Sequence, residues 1–206
     1  MSESEMPGKC PPTSRSETAT PATPALLLIA LAGFWLISGS DANATEPLVQ
    51  SRDVVVQRTD QGFTVDVDLL VPVPISIAWA VITDIERMPE FIPNLVESKV
   101  LARKPNWLRV QQKGYTRIGP LRLDFESTRD IKLMPESEMN AHGVAGNLKR
   151  FESITRLTTV GAGTRLEYHV EAQPDFWIPP LVGPFVVREQ TTEQFSALLA
   201  EMIRRR

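Results

Sequence analysis

Few side chains in this sequence can take part in metal or acid–base chemistry. Its 206 residues contain two histidines, His142 and His169, and one cysteine, Cys10. A single cysteine excludes an intramolecular disulfide and a zinc site built from cysteines. His169 stands between Glu167 and Glu171, a spacing that places all of them on one face of a strand and could suggest a metal site. No further histidine lies nearby to complete such a site, so a solvated strand face is the better interpretation and no metal is predicted.

Asp84 and Tyr168 are the candidates for general acid–base catalysis. Asp84 falls near a predicted helix end, where we expect it to hydrogen-bond nearby backbone, because a catalytic carboxyl group needs a raised pKa and a placed substrate. The sequence contains no nucleophile elbow and no phosphate-binding glycine loop. It therefore predicts no catalytic residue and no cofactor, and it favours a binding protein over an enzyme.

The composition is that of a globular domain. Lys and Arg number 22 against 25 Asp and Glu, for a net charge of -3, and hydrophobic residues make up 42%. This balance excludes a disordered polyelectrolyte. It gives no support to nucleic-acid binding, which needs a basic surface.

Residues 1–44 are predicted to be an export segment. Their first part is rich in Ser, Thr and Pro and has no hydrophobic periodicity, which is typical of disorder. The uncharged apolar run 25–37 is shorter than the roughly 20 residues that a membrane-spanning helix needs. Ala42-Asn43-Ala44 has the small-x-small pattern of a cleavage site. We predict cleavage after Ala44 and export, to the periplasm in a bacterium; the alternative is a membrane anchor formed by residues 25–39.

The rest of the chain is predicted to be a linker, 45–60, and one α+β domain, 61–206. Hydrophobic residues at every second position of Phe63–Val71 predict a half-buried strand. A helix over Ile77–Met88 follows, with Ser76 as its cap. Helical spacing predicts a long amphipathic helix over 184–206. Further strands are predicted at 96–103, 107–114, 121–133, 138–144, 149–160 and 164–172, joined by short turns into an antiparallel sheet.

The segment from Val81 to Pro93 carries a resemblance to a known family. Its sequence, Val-Ile-Thr-Asp-Ile-Glu-Arg-Met-Pro-Glu-Phe-Ile-Pro, resembles the hydrophobic-x-x-Asp-x-x-x-x-Pro-x-Phe-x-Pro stretch of the START-like superfamily of polyketide cyclases/dehydrases and coenzyme Q-binding proteins. Gly119–Phe125 and Gly163–Tyr168 add to the resemblance, which covers about residues 60–205. It implies a helix-grip fold, in which a curved antiparallel sheet of about seven strands wraps a long C-terminal helix and a short helical segment follows the first strand.

The same resemblance implies an apolar cavity between the sheet and the last helix. Alternation along the strands then predicts which side chains line this ligand site: Val65, Val67, Leu108, Val110, Gln112, Leu123, Phe125, Tyr168, Val170, Trp177 and Phe195. Such a lining suits an apolar ligand oriented by a few hydrogen bonds, here from Tyr168 and Gln112, with Ser153 and Thr155 as further polar candidates. A collapsed cavity filled by core residues is the alternative.

Family ligands include lipids, sterols, quinones and polyketides, and a fold does not determine which function a member has. We predict an exported, non-enzymatic binding or transfer protein for a hydrophobic small molecule such as a lipid, a quinone or a polyketide-like compound. One alternative is a cyclase or dehydratase with Tyr168 or Asp84 as the acid–base group. The apolar segment 176–187 supports another, a partner-binding module, and it could also seal the cavity or touch a membrane transiently.

Overall fold

The computed structural model describes residues 48–118, 121–175 and 183–206. The predicted export segment, 1–44, lies outside the described residues, as does 176–182. The strands are β1 (Val54–Arg58), β2 (Phe63–Val71), β3 (Leu95–Lys104), β4 (Trp107–Ile118), β5 (Leu121–Met134), β6 (Glu138–Gly146), β7 (Leu148–Val160) and β8 (Gly163–Pro174). The helices are α1 (Ile75–Ile82) and α2 (Gly183–Arg204), with short 3-10 helices at Ser51–Asp53 and Ile85–Glu90.

The strands form one 8-stranded sheet in the order β1-β2-β8-β7-β6-β5-β4-β3. All neighbouring strands are antiparallel. This arrangement, with α2 held against one face of the sheet, confirms the predicted helix-grip fold. The sheet has one strand more than predicted, because β1 lies in the segment 45–60 that the sequence reading treats as a linker.

The helical region after β2 is divided differently from the prediction. The helix α1 begins at Ile75, two residues before the predicted start, with Pro74 at its N-cap and no capping side chain. The Pro74 carbonyl accepts from the N–H groups of Ile77 and Ala78, so the helix already includes Ser76, which does not cap it. A 3-10 helix, Ile85–Glu90, then contains Pro89, because its backbone angles also suit proline.

Two groups of buried residues form the core. The larger joins β2 to α2, where Val67, Val71 and Met202 are almost fully buried. The smaller lies under β4 and β5 around Val110 and Ile131. Fully burying one such side chain contributes about 1.5–3 kcal/mol, which makes the inward face of each strand the main source of stability.

The segment before β1 packs against α2. Val49 is completely buried, and its backbone N–H donates to Ser196 Oγ at 3.3 Å. Val54 and Val56 of β1 are buried in the same core. The first described residues are therefore an integral part of the domain.

A charged cluster fixes the C-terminal end of α2. The Glu201 carboxylate accepts hydrogen bonds from Arg204 and Arg205, and these bonds hold the pKa of Glu201 down at about 2. Arg205 also forms an ion pair with Asp84 at 2.7 Å. Asp84 makes no side-chain cap to the 3-10 helix, so the predicted hydrogen bond to nearby backbone is replaced by this long-range pair.

Candidate ligand-binding site

A cavity of about 210 Å³ lies between the inner face of the sheet and α2. Its walls come from the 3-10 helix, the sheet and α2, and they are mostly apolar: Ile82, Met88, Ile92, Leu95, Gln112, Phe125, Met139, Thr155, Leu166, Tyr168, Gln194, Phe195 and Leu198. Pockets for drug-sized ligands measure about 300–1,000 Å³. The cavity therefore has room for a compact ligand or for part of a longer one.

Gln112, Phe125, Tyr168 and Phe195 line this cavity, as the sequence predicts. The other predicted lining residues lie elsewhere: Val65, Val67 and Val170 in the larger core, Leu108 and Val110 in the smaller one, and Leu123 half-buried away from the cavity. Trp177 lies outside the described residues. Alternation correctly assigns the inner face, but it does not tell which inner positions are covered by other side chains.

Tyr168 is one of the four polar residues that line the cavity, with Gln112, Thr155 and Gln194. Its ring packs against Phe195 with 5.2 Å between centroids. Tyr168 pairs with Val67 on one neighbouring strand and with Thr155 on the other. Burial raises the pKa of the Tyr168 hydroxyl. The charge of Arg129 and a hydrogen bond with Ser153 act in the opposite direction and offset only part of this increase. Tyr168 is therefore a neutral O–H group at physiological pH and can donate a hydrogen bond to a ligand.

Another polar residue of the lining, Gln112, is held in place by its neighbours. Its Nε2 donates to Ser98 Oγ at 3.0 Å and contacts the Met88 sulfur at 3.5 Å. Both Gln112 and Ser98 are buried. A fixed amide in an apolar wall favours ligands with a polar atom at the matching position.

Arg129 is a functional candidate that sequence reasoning missed. It pairs with Val110 in register, so it projects from the inner face of β5 like Phe125. Its Nε is buried and has no hydrogen-bond partner among the residues described. The guanidinium lies 4.9 Å from the ring centroid of Phe151, and burial lowers its pKa. Continuing the alternation from Phe125 by two more steps would have placed this arginine inside.

The histidines both lie on the outer face of the sheet. His142 Nδ1 is 2.5 Å from Glu152 Oε1, and His169 Nδ1 is 2.6 Å from Asp66 Oδ1. The His169 side chain is 42% exposed, as expected for a solvated strand face. Within the part of the chain that the structure describes, no group of three or more His, Cys, Asp or Glu side chains is placed to hold a metal ion.

Asp84 is not part of the cavity wall. Its carboxylate is engaged by Arg205 at 2.7 Å and lies 3.7 Å from Arg87. These contacts place it in the charged cluster at the C-terminal end of α2. Of the predicted acid–base candidates, the cavity contains only Tyr168.

A curved antiparallel sheet that holds a C-terminal helix over an apolar cavity defines the helix-grip class of ligand-binding domains. The family model described as "Polyketide cyclase / dehydrase and lipid transport" matches residues 71–197. The chain belongs to this family, which confirms the resemblance found in its sequence. A comparison with curated proteins gave no match. Within the described ranges, no helix is long and apolar enough to cross a membrane.

Solved structures share this fold at low sequence identity. A START superfamily protein from Mycobacterium smegmatis matches with a TM-score of 0.60 and 13% identity, covering 69% of this chain and 99% of its own. A STAR-related lipid transfer protein from Xanthomonas axonopodis gives 0.58 and 13%, covering 73% and 92%. The Zhui aromatase/cyclase from Streptomyces sp. R1128 gives 0.57 and 15%, covering 69% and 94%. These similarities show a common fold.

Proposed function

We propose that this protein binds or transfers a hydrophobic small molecule, such as a lipid, a quinone or a polyketide-like compound, in the cavity between the sheet and α2. The apolar lining around Tyr168 and Phe195 is the observation that supports it most directly. Removing apolar surface from water contributes about 25 cal/mol per Å². An open apolar space inside a folded domain is therefore a favourable site for an apolar ligand.

A fluorescence titration with the neutral probe N-phenyl-1-naphthylamine tests this function. We expect the protein to bind the probe and Leu198→Trp to abolish binding, because Leu198 lines the cavity and a larger ring there fills it. Leu70→Trp is the matched control, since Leu70 is 65% exposed on the outer face. Equal binding by both variants would place the probe elsewhere. Protein that shows no probe binding, and from which no organic-soluble ligand can be extracted, would contradict the proposal.

A second candidate function is a cyclase or dehydratase reaction with Tyr168 as proton donor. Its support is a neutral phenol in the cavity near the charge of Arg129, together with the aromatase/cyclase among the proteins of the same fold. Incubation with a linear poly-β-ketone and mass spectrometry of the products tests it. Loss of turnover in Tyr168→Phe with retained probe binding supports an enzyme, and unchanged turnover excludes this role for Tyr168.

We also propose export through residues 1–44, on the basis of the apolar run and the Ala42-Asn43-Ala44 pattern. Intact-mass measurement of protein from separated cell fractions tests this: an exported chain that begins at residue 45 supports it. Full-length protein held in the membrane fraction supports the alternative anchor.

Contact with a membrane surface or a protein partner through 176–187 remains a proposal as well. Phe185, at the start of α2, is 59% exposed. Co-sedimentation with phosphatidylcholine vesicles that is lost in Phe185→Ser supports membrane contact. Co-purification of a partner that is lost in Trp177→Ala supports a partner-binding module instead.

A further inference from the structure

The domain contains buried guanidinium nitrogens for which the described residues supply no hydrogen-bond partner. The buried side-chain atoms without a hydrogen-bond partner include Arg129 Nε on β5 and Arg188 Nε on α2. The carboxylate next to Arg129 in the chain, Asp130, projects from the other face of the sheet and pairs with Arg109 at 2.7 Å. Burying a polar group without a partner is costly, so a buried guanidinium nitrogen with no partner calls for a functional explanation.

The surroundings of Arg129 leave its donors available. Phe151 contacts the guanidinium as a cation–π partner, which uses the face of the cation and leaves the N–H groups in its plane. A planar fork of this kind binds a carboxylate or a phosphate through two parallel hydrogen bonds. Gly143 occupies the neighbouring position on β6 and has no side chain. A Cβ added there would lie only 3.0 Å from the Phe151 Cβ, so a larger residue would crowd Phe151.

Arg188 belongs to the face of α2 that covers the sheet. It precedes Phe195 by about two helical turns, and residues separated by two turns share a helix face. Phe195 lines the cavity and packs against Tyr168. The buried Nε of Arg188 is thus on the helix side of the domain, and Arg129 is on the sheet side.

Tyr168 connects the apolar cavity to this charge. Its side chain lines the cavity, and its hydroxyl lies within electrostatic reach of Arg129. A ligand whose apolar body lies beside Tyr168 and Phe195 would bring a terminal acidic group toward the guanidinium.

We propose that Arg129, assisted by Arg188, binds the acidic end of an amphipathic ligand whose apolar body occupies the cavity beside Tyr168 and Phe195. The ligand class is an aromatic or aliphatic compound that carries one oxyanion, either a carboxylate or a phosphate. This inference rests on the proposed function and specifies its ligand. It also accounts for a buried guanidinium nitrogen that finds no partner among the described residues, at an inner position where an apolar residue would be more stable.

The experiment compares three probes with one naphthalene body: 2-naphthoate, its methyl ester and 2-naphthyl phosphate. Calorimetry at neutral pH gives the affinity of each probe for the wild-type protein, for Arg129→Gln, for Arg129→Lys and for Arg188→Gln. Arg109→Gln is the matched control, because Arg109 is an arginine on the outer face of the adjacent strand and is 43% exposed. Circular dichroism verifies that each variant is folded.

We expect the wild type to bind at least one acidic probe more tightly than the ester. The acidic probe with the higher affinity identifies the preferred oxyanion, carboxylate or phosphate. Arg129→Gln should weaken acid binding by about tenfold or more, the usual effect of losing a charged hydrogen bond, with the ester affinity unchanged. Arg129→Lys should retain part of the acid preference because it keeps the charge without the fork. Arg188→Gln should reduce the preference less, and Arg109→Gln should leave it unchanged.

An acid-to-ester affinity ratio that is the same in the wild type and in Arg129→Gln would overturn this inference. That result would leave the proposed function intact, provided that N-phenyl-1-naphthylamine and the ester still bind. If none of the probes binds the wild type, the proposed function itself fails. The two failures are therefore distinguishable in one set of titrations.

Discussion

The Arg205 guanidinium lies 2.7 Å from the Asp84 carboxylate and thereby joins the C-terminal end of α2 to the start of the 3-10 helix at Ile85–Glu90. The same guanidinium lies 5.8 Å from the ring centroid of Phe91 and is hydrogen-bonded to Glu201. Asp84, Phe91 and Arg205 are thus parts of one clamp. The Asp-x-x-x-x-Pro-x-Phe stretch, which identifies the family in the sequence, has a structural role in this protein: it anchors the helix that covers the cavity.

Asp84→Asn should destabilise the fold. The substitution removes one charge of a pair in which both side chains are mostly buried, 23% and 20% exposed, so it leaves Arg205 without its partner on the 3-10 helix. We expect the free energy of unfolding to fall by about 1–3 kcal/mol in urea titrations. Glu90→Gln is the control, because its pair with Arg87 is exposed on both sides and such pairs contribute about 0–1 kcal/mol. Equal losses in both variants would contradict a special role for Asp84.

Glu201 should make stability depend on pH below about 4.5. Its pKa is lowered from 4.5 to about 2 in the folded protein by hydrogen bonds from Arg204 and Arg205. A depressed carboxyl pKa contributes stability that is present above the unfolded-state value and is lost as the pH falls through the folded-state value. The stability difference between wild type and Glu201→Gln should therefore be full near pH 6 and shrink steadily toward pH 2. A difference that does not change over this range would show that the charge of Glu201 contributes nothing.

Arg129→Met should stabilise the ligand-free protein. The substitution replaces a guanidinium whose buried Nε has no hydrogen-bond partner among the described residues, and whose pKa burial already lowers, by an unbranched apolar side chain. We expect a gain of about 1 kcal/mol or more in the free energy of unfolding, reduced somewhat by the lost contact with Phe151. Arg109→Met on the outer face should give no gain, since it breaks an ion pair with Asp130. A destabilised Arg129→Met protein would indicate that the arginine is structural.

Gly114→Ala should disturb the wall of the cavity. A Cβ at this position would lie 2.4 Å from the Asn94 carbonyl oxygen and 2.5 Å from the Phe125 ring, and both contacts are too short to persist, so the ring must shift as well as the backbone. Phe125 lines the cavity, and its displacement should weaken the binding of N-phenyl-1-naphthylamine. Overpacking of this kind also destabilises by about 1–3 kcal/mol. Lys113→Ala, at the neighbouring position on the outer face, should change neither quantity.

The fold could be predicted from the sequence because its strands are strongly patterned. The alternation in Phe63–Val71 gave both the limits of β2 and its buried side. The strand β1 escaped prediction because Val54–Arg58 is short, with only Val54 and Val56 buried. The helix after β2 was predicted too long, since a 3-10 helix and an α-helix have similar hydrophobic spacing over so few residues.

The candidate site could be predicted only in part, because alternation gives a face of the sheet and not a depth. Tyr168 and Val170 point to the same face, yet only Tyr168 lines the cavity. The ion pair of Asp84 could not be predicted either, as its partner Arg205 lies in a different element at the far end of the chain. Arg129 could have been predicted by the same alternation, because it lies two alternate positions after Phe125 on the inner face of β5.

The burial of Val49 determines how short an independently folding version of this protein can be. The family match covers 71–197, but Val49 and β1 cover one side of α2, and Met202, Glu201 and Arg205 secure its end. A fragment cut to the limits of the match would lose nearly all of β2, which pairs with β8, together with the clamp. The residues needed for independent folding therefore extend beyond the family match at both ends. Truncation experiments should retain residues 48–206.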